Sequence, residues 1–195
     1  VAAARLLTET QGCDVVLADD GLQHYRLARA VEVVVIDGER RLGNGRCLPA
    51  GPLREPRGRL RGADFVVVRG HGGAGEWSMD YLPGALRRVA DDATAGAPEA
   101  GSRVHGVAGI GAPGRFFAQL RALGWEVVEH PFPDHHPFRP GDLEFTEALP
   151  VIMTEKDAVK CARFAAPGHW YLPVTAHAPA ALARGIIHRL ENRHG

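Results

Sequence analysis

Residues Asp14 to His24 read D-V-V-L-A-D-D-G-L-Q-H, and this stretch indicates the fold. The segment Cys13–Ala18 predicts a strand buried on both faces, because its apolar residues follow one another instead of alternating with polar ones. Asp19 and Asp20 follow it, and open parallel sheets bind ligands at the carboxyl ends of their strands. Two carboxylates there suit a magnesium-nucleotide, as in a Walker B motif, although an Asp-Gly turn after a buried strand is the simpler interpretation.

The composition is that of an ordinary globular protein. The chain has 195 residues, of which 45% are hydrophobic and 24% charged, enough for one domain or one domain with a small appendage. Lys plus Arg equals Asp plus Glu, at 23 each, so the net charge argues neither for nor against a nucleic-acid partner. We predict no such partner. The three cysteines form no C-x-x-C pair, which argues against a zinc knuckle or a disulfide framework and fits a reducing cytoplasm.

Strand and helix patterns alternate along the chain, which predicts an α/β protein with a parallel, doubly wound sheet. Further apolar strands are predicted at residues 31–36, 65–68, 103–110, 125–129, 150–153 and 170–174. Helices are predicted at residues 1–10, 115–123, 155–163 and 179–192. Residues 70–101 are rich in Gly, Ala and Asp, and we expect short, exposed, partly antiparallel pieces there.

The loop Gly43–Pro56 reads G-N-G-R-C-L-P-A-G-P-L-R-E-P. Its glycines would let backbone amides approach an oxyanion closely, while Arg54 and Glu55 would supply a phosphate contact and its orienting partner. The alternative is a rigid Pro/Gly turn that carries a surface Arg-Glu pair.

Two further stretches place polar groups beside predicted strands. In F-P-D-H-H-P-F, His135 next to Asp134 can act as a base or a proton relay, and at most one of the adjacent histidines is expected to be functional. In T-E-K-D, Lys156 stands at a helix start that would attract an anion, but capping by Thr154 accounts for most of that pattern. The sequence contains no G-x-x-x-x-G-K-[ST] string, the usual cradle of nucleotide phosphates.

Taken together, these stretches resemble the tetraacyldisaccharide 4'-kinase family, the lipid A 4'-kinases. The resemblance rests on D-D-G-L-Q-H-Y-R-L-A-R (19–29), V-V-V-I-D-G (33–38), the loop at 43–56, R-F-F (115–117), F-P-D-H-H-P-F (132–138) and M-T-E-K-D-A-V-K-C (153–161). It implies a P-loop NTPase-like, mostly parallel sheet with helices on both faces, plus a smaller C-terminal α/β subdomain. Residues 1–100 would be the part of the kinase core that carries Walker B, and residues 101–195 the subdomain.

The resemblance also implies an activity. Such an enzyme transfers the γ-phosphate of ATP, with Mg²⁺, to the 4'-hydroxyl of an acylated glucosamine disaccharide phosphate, a lipid A precursor. It works at the cytoplasmic face of the bacterial inner membrane, which it contacts peripherally.

The resemblance assigns roles to residues by motif. Asp19 and Asp20 would hold the metal, and Asp20 would also serve the attacking hydroxyl as a catalytic residue. His135 would be the histidine that pairs with a catalytic aspartate and tunes it as a base. The remaining residues would line the nucleotide cleft (Gln23, His24) or bind substrate phosphate or order the loop around it (Asn44, Arg54, Glu55).

Some parts of the family pattern are not found in this sequence. In the family that aspartate, the P-loop with its lysine and a membrane helix precede these motifs. The first residue is Val, so we expect the sequence to start within a longer protein, a non-AUG start codon being the other possibility. We also expect this chain to be inactive alone. Two other functions stay open: a non-catalytic module that binds an anionic glycolipid, and a metal-dependent phosphohydrolase using Asp19, Asp20 and His135.

Overall fold

The computed structural model describes residues 1–192. The helices are α1 (Ala2–Gln11), α2 (Pro113–Ala122), α3 (Glu155–Cys161) and α4 (Ala180–Glu191). The strands are β1 (Val33–Asp37), β2 (Phe65–Arg69), β3 (Trp77–Pro83), β4 (Arg87–Arg88), β5 (Arg103–Ala108), β6 (Glu126–Pro131), β7 (Val151–Thr154), β8 (His169–Leu172) and β9 (Val174–His177). Short 3₁₀ helices cover Arg57–Gly62, Pro140–Leu143 and Ala162–Phe164. The chain is therefore an α/β protein, as the alternation predicts.

The chain forms two compact units. The first comprises Val1–Asp80 together with the residues from His177 onward, and the second comprises Tyr81–Ala176. The first unit is discontinuous in sequence because the C-terminal helix α4 packs on its strands: buried Leu182 clusters with Val67 of β2 and Met79 of β3. The division at residue 100 into kinase core and subdomain stays a prediction. The boundaries of the two compact units reflect only how densely each part is packed, so they do not test it.

The first unit is built on parallel strand pairs. Within it β1 pairs with β2, and β2 pairs with residues Trp77–Met79 of β3, both in parallel. Ile36 of β1 and Val68 of β2 are buried, but Val33 and Val35 of β1 are 41% and 60% exposed, so the apolar run of β1 is buried only in part.

The second unit has the larger core. Its sheet has the order β4-β8-β7-β5-β6, with β4 antiparallel to β8 and the remaining neighbours parallel. Helix α2 packs Phe117 and Leu120 against the sheet, and both are fully buried. Gly106 of β5 permits this approach, because a Cβ there would lie 3.1 Å from the Phe117 ring and 2.7 Å from Val127.

The prediction of a buried strand at Cys13–Ala18 is wrong. This segment has no regular secondary structure, and the side chains of Val15 and Leu17 are 54% and 91% exposed. A strand needs a neighbour to satisfy its backbone groups, and none of the strands in residues 1–192 pairs with this segment. Asp19 and Asp20 therefore follow an exposed segment without regular secondary structure instead of a sheet strand.

The prediction for residues 70–101 is correct only in part. Strand β4 is short and antiparallel, as expected. Strand β3, in contrast, is seven residues long, begins parallel to β2 and buries Met79. Its sequence, W-S-M-D-Y-L-P, follows a Gly-rich stretch at residues 70–75 and ends in a proline, and these two breaker signals conceal a regular strand.

Two helix ends carry the capping residues that their sequences favour. Helix α1 ends at Gly12, whose φ of 63° is the left-handed conformation that glycine adopts without strain. Helix α3 begins after Thr154, whose hydroxyl accepts a hydrogen bond from the Asp157 amide at 3.2 Å. Capping is thus the role of Thr154 that the structure displays.

Candidate functional site

A cavity of about 650 Å³ lies within the first unit and gathers several of the predicted site residues. The polar part of its lining consists of Asp19, Asp20, Gln23, Arg29, Glu32 and Arg54. The apolar part includes Val15–Leu17, Val33–Val35 of β1 and two side chains of α4. The structure thus places carboxylates, an amide and guanidinium groups around one opening.

Asp20 and Arg54, two of these polar lining residues, form an ion pair. The arginine Nη1 donates to both carboxylate oxygens, at 2.8 and 2.7 Å, and the carboxylate raises the pKa of Arg54. Both side chains are more than half exposed, so a ligand can reach either group. Asp20 itself has a φ of 48°, which is uncommon for a non-glycine residue and reflects the tight turn that ends at Gly21.

Glu55 organises the neighbouring side chains. Its carboxylate accepts hydrogen bonds from Gln23 Nε2 at 3.0 Å and from the Tyr25 hydroxyl at 2.6 Å, and Arg59 Nε lies 3.4 Å away. The hydrogen bond from Tyr25 is the largest of the effects that lower the pKa of Glu55, and the same contact raises the pKa of Tyr25. Gln23 also accepts a long hydrogen bond from Arg54 at 3.4 Å, so this group is continuous with the Asp20–Arg54 pair.

Tyr25 is the residue that sequence reasoning missed. It stands directly after the Gln23-His24 pair, and a tyrosine in a predicted cleft with a nearby loop glutamate is the only signal that could have indicated it. Its ring also lies 5.8 Å from the guanidinium carbon of Arg29, within the range of a cation–π contact.

Asn44 orders the loop around it. Its Nδ2 donates to the Ala50 carbonyl at 2.8 Å, and its Oδ1 accepts from the Arg46 amide at 3.1 Å. Gly51 leaves room for this arrangement, because a Cβ there would lie 2.1 Å from Asn44 Oδ1. Of the two roles predicted for Asn44, its contacts match loop ordering.

The remaining predicted residues of the first unit are exposed. The Asp19 and His24 side chains both face solvent, and the His24 amide donates to the Gly21 carbonyl at 3.0 Å in the turn. In residues 1–192 no group of three or more His, Cys, Asp or Glu side chains could hold a metal ion.

His135 belongs to the second unit, in the loop that follows β6. Its φ of 61° is left-handed, its side chain is 78% exposed, and its Nε2 lies 3.8 Å from Asp134 Oδ2. Asp134 is held in turn by Lys156 Nζ at 3.1 Å, the largest of the effects that lower the pKa of Asp134.

The adjacent His136 is packed instead of exposed. Its Nε2 bonds to Asp142 Oδ2 at 3.0 Å, and its ring contacts those of Phe132 and Phe138. The two histidines therefore differ in environment: His136 packs within the loop, and the side chain of His135 is exposed.

Comparison with known families gives a match over nearly the whole chain. The model of the family described as tetraacyldisaccharide-1-P 4'-kinase matches residues 1–191. A protein named tetraacyldisaccharide 4'-kinase from Alkalilimnicola ehrlichii is 57% identical over 203 aligned residues, which cover 99% of this chain and 60% of the relative. Its namesake from Nitrosococcus oceani is 48% identical over 98% of this chain and 57% of its own length. The chain thus spans about 60% of the length of these relatives.

One solved structure has a similar fold. It is an "apo" form of LpxK from Aquifex aeolicus in complex with ATP, with a TM-score of 0.69 and 24% sequence identity. The similarity covers 95% of this chain and 60% of the other. At 24% sequence identity, this structural similarity shows the fold alone.

Proposed function

This chain belongs to the tetraacyldisaccharide-1-P 4'-kinase family, and from that premise we propose that it supplies part of a lipid A 4'-kinase. The reaction would transfer the γ-phosphate of ATP to the 4'-hydroxyl of a tetraacyldisaccharide 1-phosphate. The observation that best supports a role for these residues in that reaction is the cavity of the first unit, where Asp19, Asp20, Gln23 and Arg54 meet. Phosphoryl transfer depends mainly on positioning and charge neutralisation, and such side chains can provide both.

Arg54 and Asp20 would work as a pair that a phosphate can open. A doubly charged phosphate competes with a single carboxylate for a guanidinium, and arginine binds phosphate through two parallel hydrogen bonds. When Arg54 turns to the phosphate, the Asp20 carboxylate is left free. The two side chains are exposed enough for this exchange, at 59% and 71%. Glu55 would keep Gln23 in place during it, through the hydrogen bond to Nε2.

The carboxylates fit the metal that the family implies. Mg²⁺ takes one or two carboxylates and completes its shell with water and substrate phosphates. Asp19 and Asp20 offer such a pair at one cavity, and the described residues add no third ligand of the His, Cys, Asp or Glu type. These two residues would hold Mg²⁺, which would supply charge neutralisation at the phosphates.

His24 and His135 complete the proposed machinery. His24 is exposed in the turn after Asp20 and would line the nucleotide cleft together with Gln23. His135 would tune the catalytic base, and its exposed imidazole is held beside Asp134.

We also propose that the enzyme works at the cytoplasmic face of the inner membrane, in peripheral contact with it, because its substrate would be a lipid. None of the helices in residues 1–192 is long and apolar enough to cross a bilayer. The kinase assignment is favoured over the glycolipid-binding module and the phosphohydrolase by the family match.

A chimeric enzyme tests the proposal on this chain's own residues. Residues 1–195 would replace the aligned part of the Alkalilimnicola ehrlichii relative, and radiolabelled ATP would be supplied with Mg²⁺ and the disaccharide 1-phosphate. We expect labelled 4'-phosphate product from the chimera and a loss of about a hundredfold or more in kcat from Asp20→Asn. Product formation that Asp20→Asn leaves unchanged would contradict the role of the cavity. Release of phosphate from the substrate without ATP would favour the phosphohydrolase. Normal substrate binding without turnover would favour the binding module.

A further inference from the structure

A second cavity, of about 630 Å³, lies within the second unit. One wall is the loop that contains His135, His136, Phe138 and Arg139. The other wall is α3 and the turn that follows it, with Val159, Lys160, Ala162 and Arg163. We call this the basic cavity, because three of its side chains are permanently cationic at neutral pH.

Two of these cations, Arg139 and Arg163, form no ion pair among the described residues, although the charge of Arg139 helps to lower the pKa of Asp142. Among residues 1–192, no carboxylate lies within 4.0 Å of the guanidinium groups of Arg139 and Arg163, both of which are exposed. Lys160 differs, since its Nζ bonds to the buried Asp157 at 2.8 Å and lies 5.5 Å from the centre of the Phe138 ring. The basic cavity therefore offers two guanidinium groups to a ligand, while Lys160 is held in the wall.

The nearby acids are already occupied. Asp142 accepts from the Arg139 amide at 2.8 Å and from His136 at 3.0 Å, contacts that lower the pKa of Asp142. Asp157 accepts from Gly109, Thr154 and Lys160 and is fully buried. An anion that enters the basic cavity would thus meet arginines first.

The wall of the basic cavity is partly apolar. Val159 is 76% exposed and lies on α3, next to Lys160 and four residues before Arg163 of the following turn. Phe138, at the base, is almost fully buried. An exposed valine beside two unpaired arginines is poorly matched to a hydrated free ion. It is well matched to a phosphate at a membrane surface, where apolar side chains enter the interface and arginines bind head groups.

We propose that the basic cavity binds the phosphate group of a membrane lipid, with Arg139 and Arg163 as the ligands and Val159 at the lipid interface. The lipid source of the phosphate rests on the proposed function, but the binding itself does not require catalysis. The two are separable: a failure of the kinase assay leaves vesicle binding intact, and a failure of vesicle binding leaves the chemistry of Asp20 untouched.

The test is flotation of the 195-residue chain in a density gradient with vesicles of phosphatidylcholine alone or of phosphatidylcholine with phosphatidylglycerol, since vesicle-bound chain rises and self-associated chain stays at the bottom. We expect binding to the anionic vesicles, and a loss of about tenfold or more in the partition coefficient when Arg139→Gln and Arg163→Gln are combined. The matched control combines Arg5→Gln and Arg184→Gln, two exposed arginines of the first unit, and removes the same charge. A circular-dichroism melt of each variant verifies that it is folded.

Two further measurements define the ligand. Val159→Ser is expected to weaken vesicle binding while leaving binding of inorganic phosphate, followed by calorimetry, unchanged. If the control variant lost as much vesicle binding as the variant with Arg139→Gln and Arg163→Gln, the proposal would be overturned, because binding would then depend on total charge. Binding of inorganic phosphate with no binding of anionic vesicles would also overturn it, since the site would then recognise a free ion.

Discussion

Arg54 Nη1 lies 2.8 and 2.7 Å from the two carboxylate oxygens of Asp20, across 34 residues of sequence. The pair joins the turn after the extended segment to the end of the Gly/Pro loop, and both partners line the cavity of the first unit. It converts two residues that the sequence suggested for separate tasks, metal binding and phosphate binding, into one electrostatic unit. A ligand that engages either residue must alter the other.

The first prediction concerns Arg54. In the chimeric enzyme, Arg54→Lys and Arg54→Met are both expected to lower kcat/KM by about a hundredfold, because a lysine supplies one point charge and no fork for phosphate. The melting temperature should not change, since the ion pair with Asp20 is exposed. Steady-state kinetics and thermal melts measure both effects, and Arg57→Met, at an exposed position of the same segment, is the control. Full activity of Arg54→Lys would show that charge alone suffices.

Asp157 provides the second prediction. Its buried carboxylate holds the Gly109 amide at 2.8 Å, the Thr154 hydroxyl at 2.7 Å and Lys160 at 2.8 Å. Asp157→Ala would leave these three donors without their acceptor, and we expect a loss of about 3–5 kcal/mol in the free energy of unfolding. Urea titration measures it. Glu155→Ala, at an exposed position of the same helix, is expected to change stability little, and equal losses for the two variants would contradict the role given to Asp157.

The fold was predictable where a local pattern carries the information. Val66–Val68 and Val151–Met153 are continuous apolar runs, and both form strands as expected because each finds parallel neighbours. Val15–Ala18 has the same local pattern and forms none, since pairing depends on which strand lies beside it. No property of the segment itself reveals the absence of a neighbour.

In the candidate site, too, local motifs predicted single residues but not the contacts between them. Sequence motifs indicated Asp20, Gln23, Arg54 and Glu55 individually, and the structure groups them. The contacts that define their chemistry join residues more than 30 positions apart, such as Gln23 to Glu55. Tyr25 was missed for that reason, because its bond to Glu55 depends on how the loop folds back.

The third prediction concerns the apolar lining residues of the cavity in the first unit. Leu17 is 91% exposed and Val35 60% exposed, and β1 has β2 as its one described neighbour. Exposed strand edges beside apolar side chains promote association, and we expect the isolated chain to be poorly soluble and to self-associate. Combining Leu17→Glu with Val35→Lys should shift the sedimentation profile toward monomer. Leu48→Glu, at a 66% exposed position in the Gly/Pro loop, is the control. A monodisperse, cooperatively melting parent chain would contradict this expectation.

The last prediction concerns His130, a residue of the second unit outside the proposed site. His105 is buried, and its Nε2 donates to the Glu147 carbonyl at 2.9 Å, which leaves its Nδ1 to accept from His130 Nε2 at 3.0 Å. Burial, and then the nearby His105, lower the pKa of His130. The unfolded chain therefore takes up a proton more readily at this residue than the folded one does. The contribution of neutral His130 to the free energy of unfolding is therefore complete above the pKa of a histidine in the unfolded chain, about 6.5. This contribution declines as the pH falls below that value.

His130→Gln removes this titration while its amide can still donate to His105. We expect the urea midpoint of the parent to fall between about pH 7 and about pH 5, and the fall to be smaller in the variant. A residual slope is expected from His169, whose pKa burial also lowers. Urea titrations at several pH values measure the two slopes. Identical slopes in parent and variant would show that the His105–His130 contact does not make the folded unit sensitive to acid.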